Sequence, residues 1–180
     1  MTCIAAIVKD GIVHMGGDSG GVDTEGGAIA LVNDKKVFVR KGYLIGYSGS
    51  YIYGKMLQHV FDLPDIPNGL SSSDSIEKFM NGVVMPSLRK QSKAMDLSSD
   101  ELDFDCLFGV RGHLYLVSNE FTALEPTQGF LAVGSAEHLA LGSLHTTQTW
   151  KDPIKRINAA LAAAAEYSTA VLPPFTIISK

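Results

Sequence analysis

The sequence is poor in cysteine and has no long apolar run. Only two cysteines, Cys3 and Cys106, occur in 180 residues. This number excludes a disulfide framework, and thiols so far apart are typical of buried side chains in a reducing compartment. No apolar segment approaches the roughly 20 residues of a membrane helix, and the N-terminus lacks the basic and apolar regions of a secretory signal. We therefore expect a cytoplasmic protein without a membrane partner.

The chain also lacks a basic surface and a metal-binding pattern. Its net charge is −4 and its lysines and arginines do not cluster, which argues against a nucleic-acid partner. The acidic residues between 96 and 105 lack the glycine of a calcium loop. No metal-ligand spacing links the histidines, which are His14, His59, His113, His138 and His145. The sequence thus predicts no metal and no organic cofactor.

The composition is that of an ordinary globular protein. The hydrophobic fraction is 46% and the charged fraction is 19%, values that are typical of a domain with its own core. No linker, internal repeat or low-complexity segment interrupts the chain. We expect a single domain spanning residues 1–180.

Three pairs of apolar segments flank turn dipeptides and predict three β-hairpins. The dipeptides are Asp10-Gly11, Lys41-Gly42 and Arg111-Gly112. Two further apolar segments, 130–133 and 175–179, are predicted as strands.

Helices are predicted between and after these hairpins. The first spans about 50–61, and the second begins near Asp74, with Glu77 as the reciprocal capping partner and Pro86 as a kink or end. A short helix is predicted over 136–144.

A last helix should start at Asp152-Pro153, with the aspartate as N-cap, and should stop at Pro173-Pro174. The order of elements does not alternate as in a doubly wound parallel sheet. Antiparallel sheets covered by helices fit it better.

The string Gly17-Asp18-Ser19-Gly20-Gly21 resembles the segment around the nucleophile of trypsin-like serine proteases. Such a protease needs a histidine base and a buried aspartate from a long stretch ahead of the serine. Too few residues precede Asp18 here, and they include only His14. This context excludes the trypsin-like interpretation and leaves a glycine-flanked aspartate at a strand end.

Thr2 is a candidate nucleophile once Met1 is removed. Methionine aminopeptidase clears the initiator methionine when the next residue is small, and threonine qualifies. The new terminus carries a hydroxyl and a free α-amine, whose reference pKa of about 7.7–8.0 leaves part of it unprotonated near neutral pH. The amine can then accept the hydroxyl proton, which is the N-terminal threonine form of nucleophile activation.

An ordered set of motifs now resembles the proteasome β-subunit family and the bacterial peptidase HslV. The motifs run in family order along most of the chain: TCIAAIVKDGIV, GGDS, NDKKVFV, LIGYSGS and AVGSAEHLALGSL. The resemblance implies an α+β fold, a four-layer αββα sandwich of two antiparallel sheets flanked by helices. It also implies a threonine peptidase that begins at Met1-Thr2 without a propeptide.

The resemblance assigns a role to each matching residue. Thr2 would be the nucleophile and its amine the base, while Lys36 would lie beside the hydroxyl and Asp18 would orient that lysine. Gly46 would donate its backbone N–H to the oxyanion, and Ser135 would bond the α-amine. Lys36 is preferred to Lys35 because the family lysine is the second of a comparable pair.

Two positions depart from the family pattern. Near the end of the late helix the family carries an Asp and a Ser that brace the nucleophile. This chain offers Glu166 and Thr169 at similar places, one longer by a methylene and the other bulkier by a methyl.

The resemblance further implies partners, and it leaves alternatives open. The expected assembly is a homo-oligomeric ring that cleaves peptides or unfolded proteins, with an unfolding ATPase as a possible companion. One alternative is an N-terminal-nucleophile amidase for small amides. The other is a catalytically inactive, proteasome-like assembly or structural protein.

Overall fold

The computed structural model describes residues 2–23, 29–31, 34–97, 103–169 and 171–180. Its strands are β1 (Ile4–Lys9), β2 (Ile12–Gly17), β3 (Gly20–Asp23), β4 (Ile29–Leu31), β5 (Val37–Arg40), β6 (Tyr43–Gly49), β7 (Phe104–Val110), β8 (His113–Ser118), β9 (Ala123–Leu124), β10 (Phe130–Val133) and β11 (Thr176–Ser179). One antiparallel sheet has the order β10-β1-β2-β11, and a second has the order β5-β6-β7-β8-β9. Strands β3 and β4 form a small third sheet.

The three predicted hairpins are confirmed. They are β1–β2, β5–β6 and β7–β8, each joined by its predicted dipeptide. Both residues of every dipeptide have positive φ, for example 51° at Asp10 and 73° at Gly11. Two left-handed residues in succession match the right-handed twist of paired strands, so these turns fix the register of both sheets.

The helices are α1 (Tyr51–Lys55), α2 (Ser73–Phe79), α3 (Met85–Ala94), α4 (Glu137–Thr146) and α5 (Pro153–Tyr167). A π-helical turn, Met56–Val60, extends α1, and another, Met80–Val84, joins α2 to α3. The predicted helices over 50–61 and 136–144 are thereby confirmed.

The start of α2 differs from the prediction. The N-cap is Ser72, which exchanges hydrogen bonds with Ser75, and not Asp74 with Glu77. A serine hydroxyl caps the first turn directly, and Asp74, lying inside that turn, pairs with Lys78 instead.

Pro86 does not end the helix, which continues to Ala94. The proline follows the π-helical turn and lies in the first turn of α3, where a missing N–H is tolerated.

The last helix begins as predicted and ends earlier than predicted. Asp152 Oδ1 accepts the N–H groups of Ile154 at 2.9 Å and Lys155 at 3.1 Å. The helix ends at Tyr167, ahead of Pro173-Pro174, and the predicted closing strand follows as β11.

Three apolar clusters separate four layers. Between the sheets lie Ile4, Ala6, Met15, Leu44 and Leu107 with their neighbours. Alternate residues of the same strands face outward, where one sheet packs against α4 and α5 and the other against α1 to α3. Because side chains of a strand alternate between its faces, this division confirms the αββα sandwich.

The short strands β3, β4 and β9 are absent from the predicted elements. Gly20 and Gly21 in β3 carry no side chain with strand propensity, and β9 has only two residues. Their pairing depends on the strands that lie beside them in the sheet.

In the described part of the chain, no helix is long and apolar enough to cross a bilayer.

Leu161→Ala should lower the free energy of unfolding by about 3 kcal/mol, because a fully buried leucine leaves a cavity under the first sheet. Chemical denaturation measures the loss. Leu139→Ala is the matched control on α4, where the side chain is 38% exposed and little change is expected. Equal losses in the two variants would contradict the layer assignment.

Candidate active site

An ion pair between Asp18 and Lys36 lies fully inside the molecule. Asp18 follows the end of β2, and Lys36 directly precedes β5. The Lys36 Nζ donates to both carboxylate oxygens at 3.0 Å, and neither side chain has any exposed surface. Lys35, the neighbouring lysine, is exposed. The fold therefore brings together the two residues that the sequence singled out from different motifs.

Backbone groups complete the surroundings of the Asp18 carboxylate. Its Oδ1 accepts the N–H of Cys3 at 3.0 Å, and its Oδ2 accepts the N–H of Gly20 at 2.8 Å. Two amides and an ammonium stabilise the ionised carboxylate in a site without water access. The Cys3 contact also ties the residue next to Thr2 to the ion pair.

Burial shifts the pKa values of two groups in this site. It lowers the pKa of Lys36, against the opposing charge of Asp18. It raises the pKa of Cys3 to about 12, with a further contribution from the Asp18 charge. The Cys3 thiol is therefore neutral at physiological pH and is no rival nucleophile.

Thr2 is linked to this ion pair through the N–H of the next residue, Cys3, and it contacts Ser135. The Thr2 nitrogen donates to Ser135 Oγ at 3.4 Å, and Thr2 is 4% exposed. Gly134 allows the backbone of Thr2 to lie this close, since a Cβ at residue 134 would be 2.2 Å from the Thr2 carbonyl oxygen. Its φ of +107° also favours glycine. Thr2, Asp18, Lys36 and Ser135 thus form one connected cluster.

Gly46, predicted as the oxyanion donor, lies in the middle of β6 and faces the space between the sheets. A Cβ there would come within 2.6 Å of Ile4 and 2.7 Å of Met15. Its N–H points toward β7, in phase with that of Ser50, which donates to the Asp103 carbonyl. Gly46 is therefore part of the sheet and does not fit the predicted role.

Gly49, at the end of β6, fits that role better. It lines the same cavity as Thr2. Its N–H points to the same side of β6 as that of Tyr47, which donates to the Lys36 carbonyl. The motif LIGYSGS contains both glycines. They differ in the side of β6 to which the backbone N–H points, and the sequence alone does not show this.

A cavity of about 430 Å³ opens beside Thr2. Its lining includes carboxylates and a histidine as well as the backbone of β6: Thr2, Ser48, Gly49, Asp103, Phe104, Asp105, Gly134, Ser135, Glu137 and His138. The Asp105 pKa is raised by burial and by the charge of Asp103. The lining includes Thr2 but neither Asp18 nor Lys36, so a molecule in the cavity would contact Thr2 directly.

Glu166 and Thr169 lie outside the cluster. Glu166 is exposed in the last turn of α5, and Thr169 is exposed beyond the helix end. Side chains in contact with solvent do not fit the predicted role of bracing a buried nucleophile. Because α5 ends at Tyr167, Thr169 lies beyond the helix, whereas Glu166 is on the solvent-exposed side of its last turn.

Across the described ranges, no group of three or more histidine, cysteine, aspartate or glutamate side chains could hold a metal ion. The cluster instead offers a hydroxyl, an ammonium, a carboxylate and backbone donors. These groups can activate an alcohol and stabilise negative charge on an oxygen.

Several solved structures match nearly the whole chain. BPH from Thiobacillus denitrificans in complex with epoxomicin has a TM-score of 0.78 and 22% identity, over 99% of this chain and 98% of that one. HslV from Trypanosoma brucei has a TM-score of 0.74 and 16% identity, over 99% and 98%. This chain has the HslV-like, proteasome-type fold.

A third similar structure is that of a protein solved as an assembly. Anbu from Pseudomonas aeruginosa, solved as a helical assembly, has a TM-score of 0.67 and 17% identity, over 100% of this chain and 81% of that one. No protein-family model matches the sequence, and no curated protein does. The likeness to these solved structures is thus one of fold, at identities of 22%, 16% and 17%.

Asp18→Asn should lower the free energy of unfolding by about 3–5 kcal/mol, since it leaves the buried Lys36 ammonium without its partner. The variant should regain stability as pH rises from the lowered pKa of Lys36 toward its unfolded value, because the native state then releases a proton that the unfolded state keeps. Urea denaturation at several pH values measures both effects.

The control for this measurement is Asp62→Asn, which removes the partner of Lys41 in an exposed ion pair. It should change stability little. A loss in Asp18→Asn no larger than in this control would contradict the account of the buried pair.

Proposed function

We propose that this protein is a threonine-type N-terminal-nucleophile peptidase that attacks peptide bonds through Thr2 Oγ after removal of Met1. One observation supports the proposal most strongly. Thr2 lines an open cavity, and the next residue, Cys3, donates its N–H to the carboxylate of the fully buried Asp18–Lys36 pair. A hydroxyl close to both a fixed positive charge and a space for a ligand would be suited to nucleophilic attack.

The first step is attack of Thr2 on the substrate carbonyl, which forms a tetrahedral intermediate. The free α-amine accepts the Oγ proton, directly or through a water, while Oγ forms a bond to the carbonyl carbon of the substrate. The Lys36 ammonium favours the ionised oxygen and lowers the pKa of the amine, because like charges disfavour its protonated form. Ser135 Oγ accepts the peptide N–H of Thr2 at 3.4 Å, and after removal of Met1 it would orient the α-amine that replaces this N–H.

The second step is collapse of the tetrahedral intermediate. The backbone N–H of Gly49 stabilises the oxyanion, a donor type that contributes about 3 kcal/mol in other hydrolases. The C–N bond breaks, and the leaving nitrogen takes the proton held by the Thr2 amine. The product is an ester on Thr2 Oγ and a free amine.

Hydrolysis of the ester completes the cycle. The Thr2 amine removes a proton from water, the resulting hydroxide attacks the ester carbonyl, and the proton returns to Oγ as the acid product leaves. The side chains of Glu166 and Thr169 have no part in this scheme.

We also propose a homo-oligomeric assembly. The helical assembly of the similar Anbu protein supports association of copies. A closed ring, an interior chamber, an ATPase companion and a cytoplasmic location stay predictions from the sequence resemblance.

The purified protein should lack Met1 and should gain the mass of one epoxomicin molecule per chain, because an epoxyketone requires a free amine and hydroxyl on one residue. Intact-mass spectrometry measures both changes. Thr2→Ala should fold normally, remain unlabelled and lose peptide turnover. Retained Met1, or labelling of Thr2→Ala, would refute the mechanism.

The same samples distinguish the alternatives. Cleavage of casein or peptides supports a peptidase, whereas turnover of small amides alone supports the amidase. A processed protein that neither binds epoxomicin nor cleaves any substrate would support the structural alternative.

Lys36→Ala should reduce kcat/KM at least 100-fold, because it removes the charge that stabilises the Thr2 oxygen. Lys35→Ala is the matched control, and its exposed side chain should matter little. Steady-state peptide cleavage compares the variants, with thermal unfolding as a check on folding. A larger loss of kcat/KM in Lys35→Ala than in Lys36→Ala would show that Lys36 does not have this role.

A further inference from the structure

A second carboxyl side chain, that of Asp34, lies close to the Lys36 segment. Asp34 Oδ2 accepts the Tyr47 hydroxyl at 2.6 Å, and Asp34 Oδ1 accepts the Lys55 ammonium at 2.6 Å. The Asp34 side chain is 10% exposed and that of Lys55 is 46% exposed. Both oxygens of this nearly buried carboxylate are therefore held by charged or phenolic donors from other elements.

Tyr47 connects this carboxylate to Lys36. Its hydroxyl binds Asp34, and its backbone N–H donates to the Lys36 carbonyl at 3.1 Å. The ring is 2% exposed in the core under α1. A rigid residue of β6 thus fixes two points of the short segment that delivers the lysine.

Asp34 also acts on the charge of Lys36. Burial lowers the pKa of Lys36, while the nearby carboxylates of Asp18 and Asp34 raise it. Asp18 makes the largest of these opposing contributions, and Asp34 adds to it without touching the ammonium. Lys55 neutralises part of the Asp34 charge through direct contact.

We propose that Asp34 is a positioning residue for Lys36, which anchors the Lys36 segment through Tyr47 and supplies a second negative charge near the buried ammonium. The catalytic consequence rests on the proposed function, since it concerns the lysine beside Thr2. The effect on Lys36 itself does not.

The test is a titration of the lysine side chains by NMR in protein labelled with ¹³C at lysine. Asp34→Asn should lower the pKa of Lys36 by about one unit, because a carboxylate at longer range than Asp18 is lost. Lys55→Met should raise it by a smaller amount, because the Asp34 charge is no longer offset. Asp62→Asn, which breaks an exposed ion pair at Lys41, should leave it unchanged.

Shifts of the Lys36 pKa in opposite directions in Asp34→Asn and Lys55→Met identify an electrostatic role. Loosened packing would shift this pKa in the same direction in both variants. An unmoved Lys36 signal in either variant, or equal shifts in the Asp62→Asn control, overturns the inference. If Asp34→Asn fails to fold, Lys55→Met alone decides, and a lowered or unchanged pKa there is the refuting result.

Peptide turnover separates this inference from the proposed function. In an active enzyme, the alkaline limb of kcat/KM should move to lower pH in Asp34→Asn, together with the Lys36 pKa. A protein without any turnover refutes the proposed function and leaves the NMR result valid. Normal turnover with an unmoved Lys36 pKa refutes only the role of Asp34.

Discussion

The buried contact between Asp18 and Lys36 determines how the candidate site is built. Neither side chain reaches solvent, and two isolated charges in such a place would be strongly unfavourable. The pair is tolerable because the carboxylate also accepts the amides of Cys3 and Gly20. These bonds hold the N-terminal strand against the end of β2, and the location of Thr2 follows from them.

Close packing of backbone around this pair requires glycine. A side chain at Gly17 would come within 2.8 Å of Ile4 and 2.9 Å of Val37, and one at Gly134 would overlap the Thr2 carbonyl. Both positions lie where the two sheets meet the site. The arrangement of the cluster therefore depends on glycine at these close contacts as well as on its polar contacts.

The state of Lys36 is a balance between burial and charge. Burial favours the neutral amine, and the nearby carboxylates of Asp18 and Asp34 favour the ammonium. A buried lysine held in this way can stabilise a negative oxygen without a shell of water that must reorganise. The proposed role of Asp34 extends this balance to Lys55, which pairs with the Asp34 carboxylate.

Local sequence determined much of this protein. The turn dipeptides specify three hairpins and Asp152 specifies a helix start, while the resemblance of ordered motifs to the family points to Thr2, Asp18 and Lys36. Tertiary structure alone distinguished Gly49 from Gly46, exposed Glu166 and Thr169, and joined Asp34 to Tyr47 and Lys55. Turns and caps depend on interactions within a few residues, whereas ladder phase, helix termination and burial depend on contacts between segments far apart in the chain.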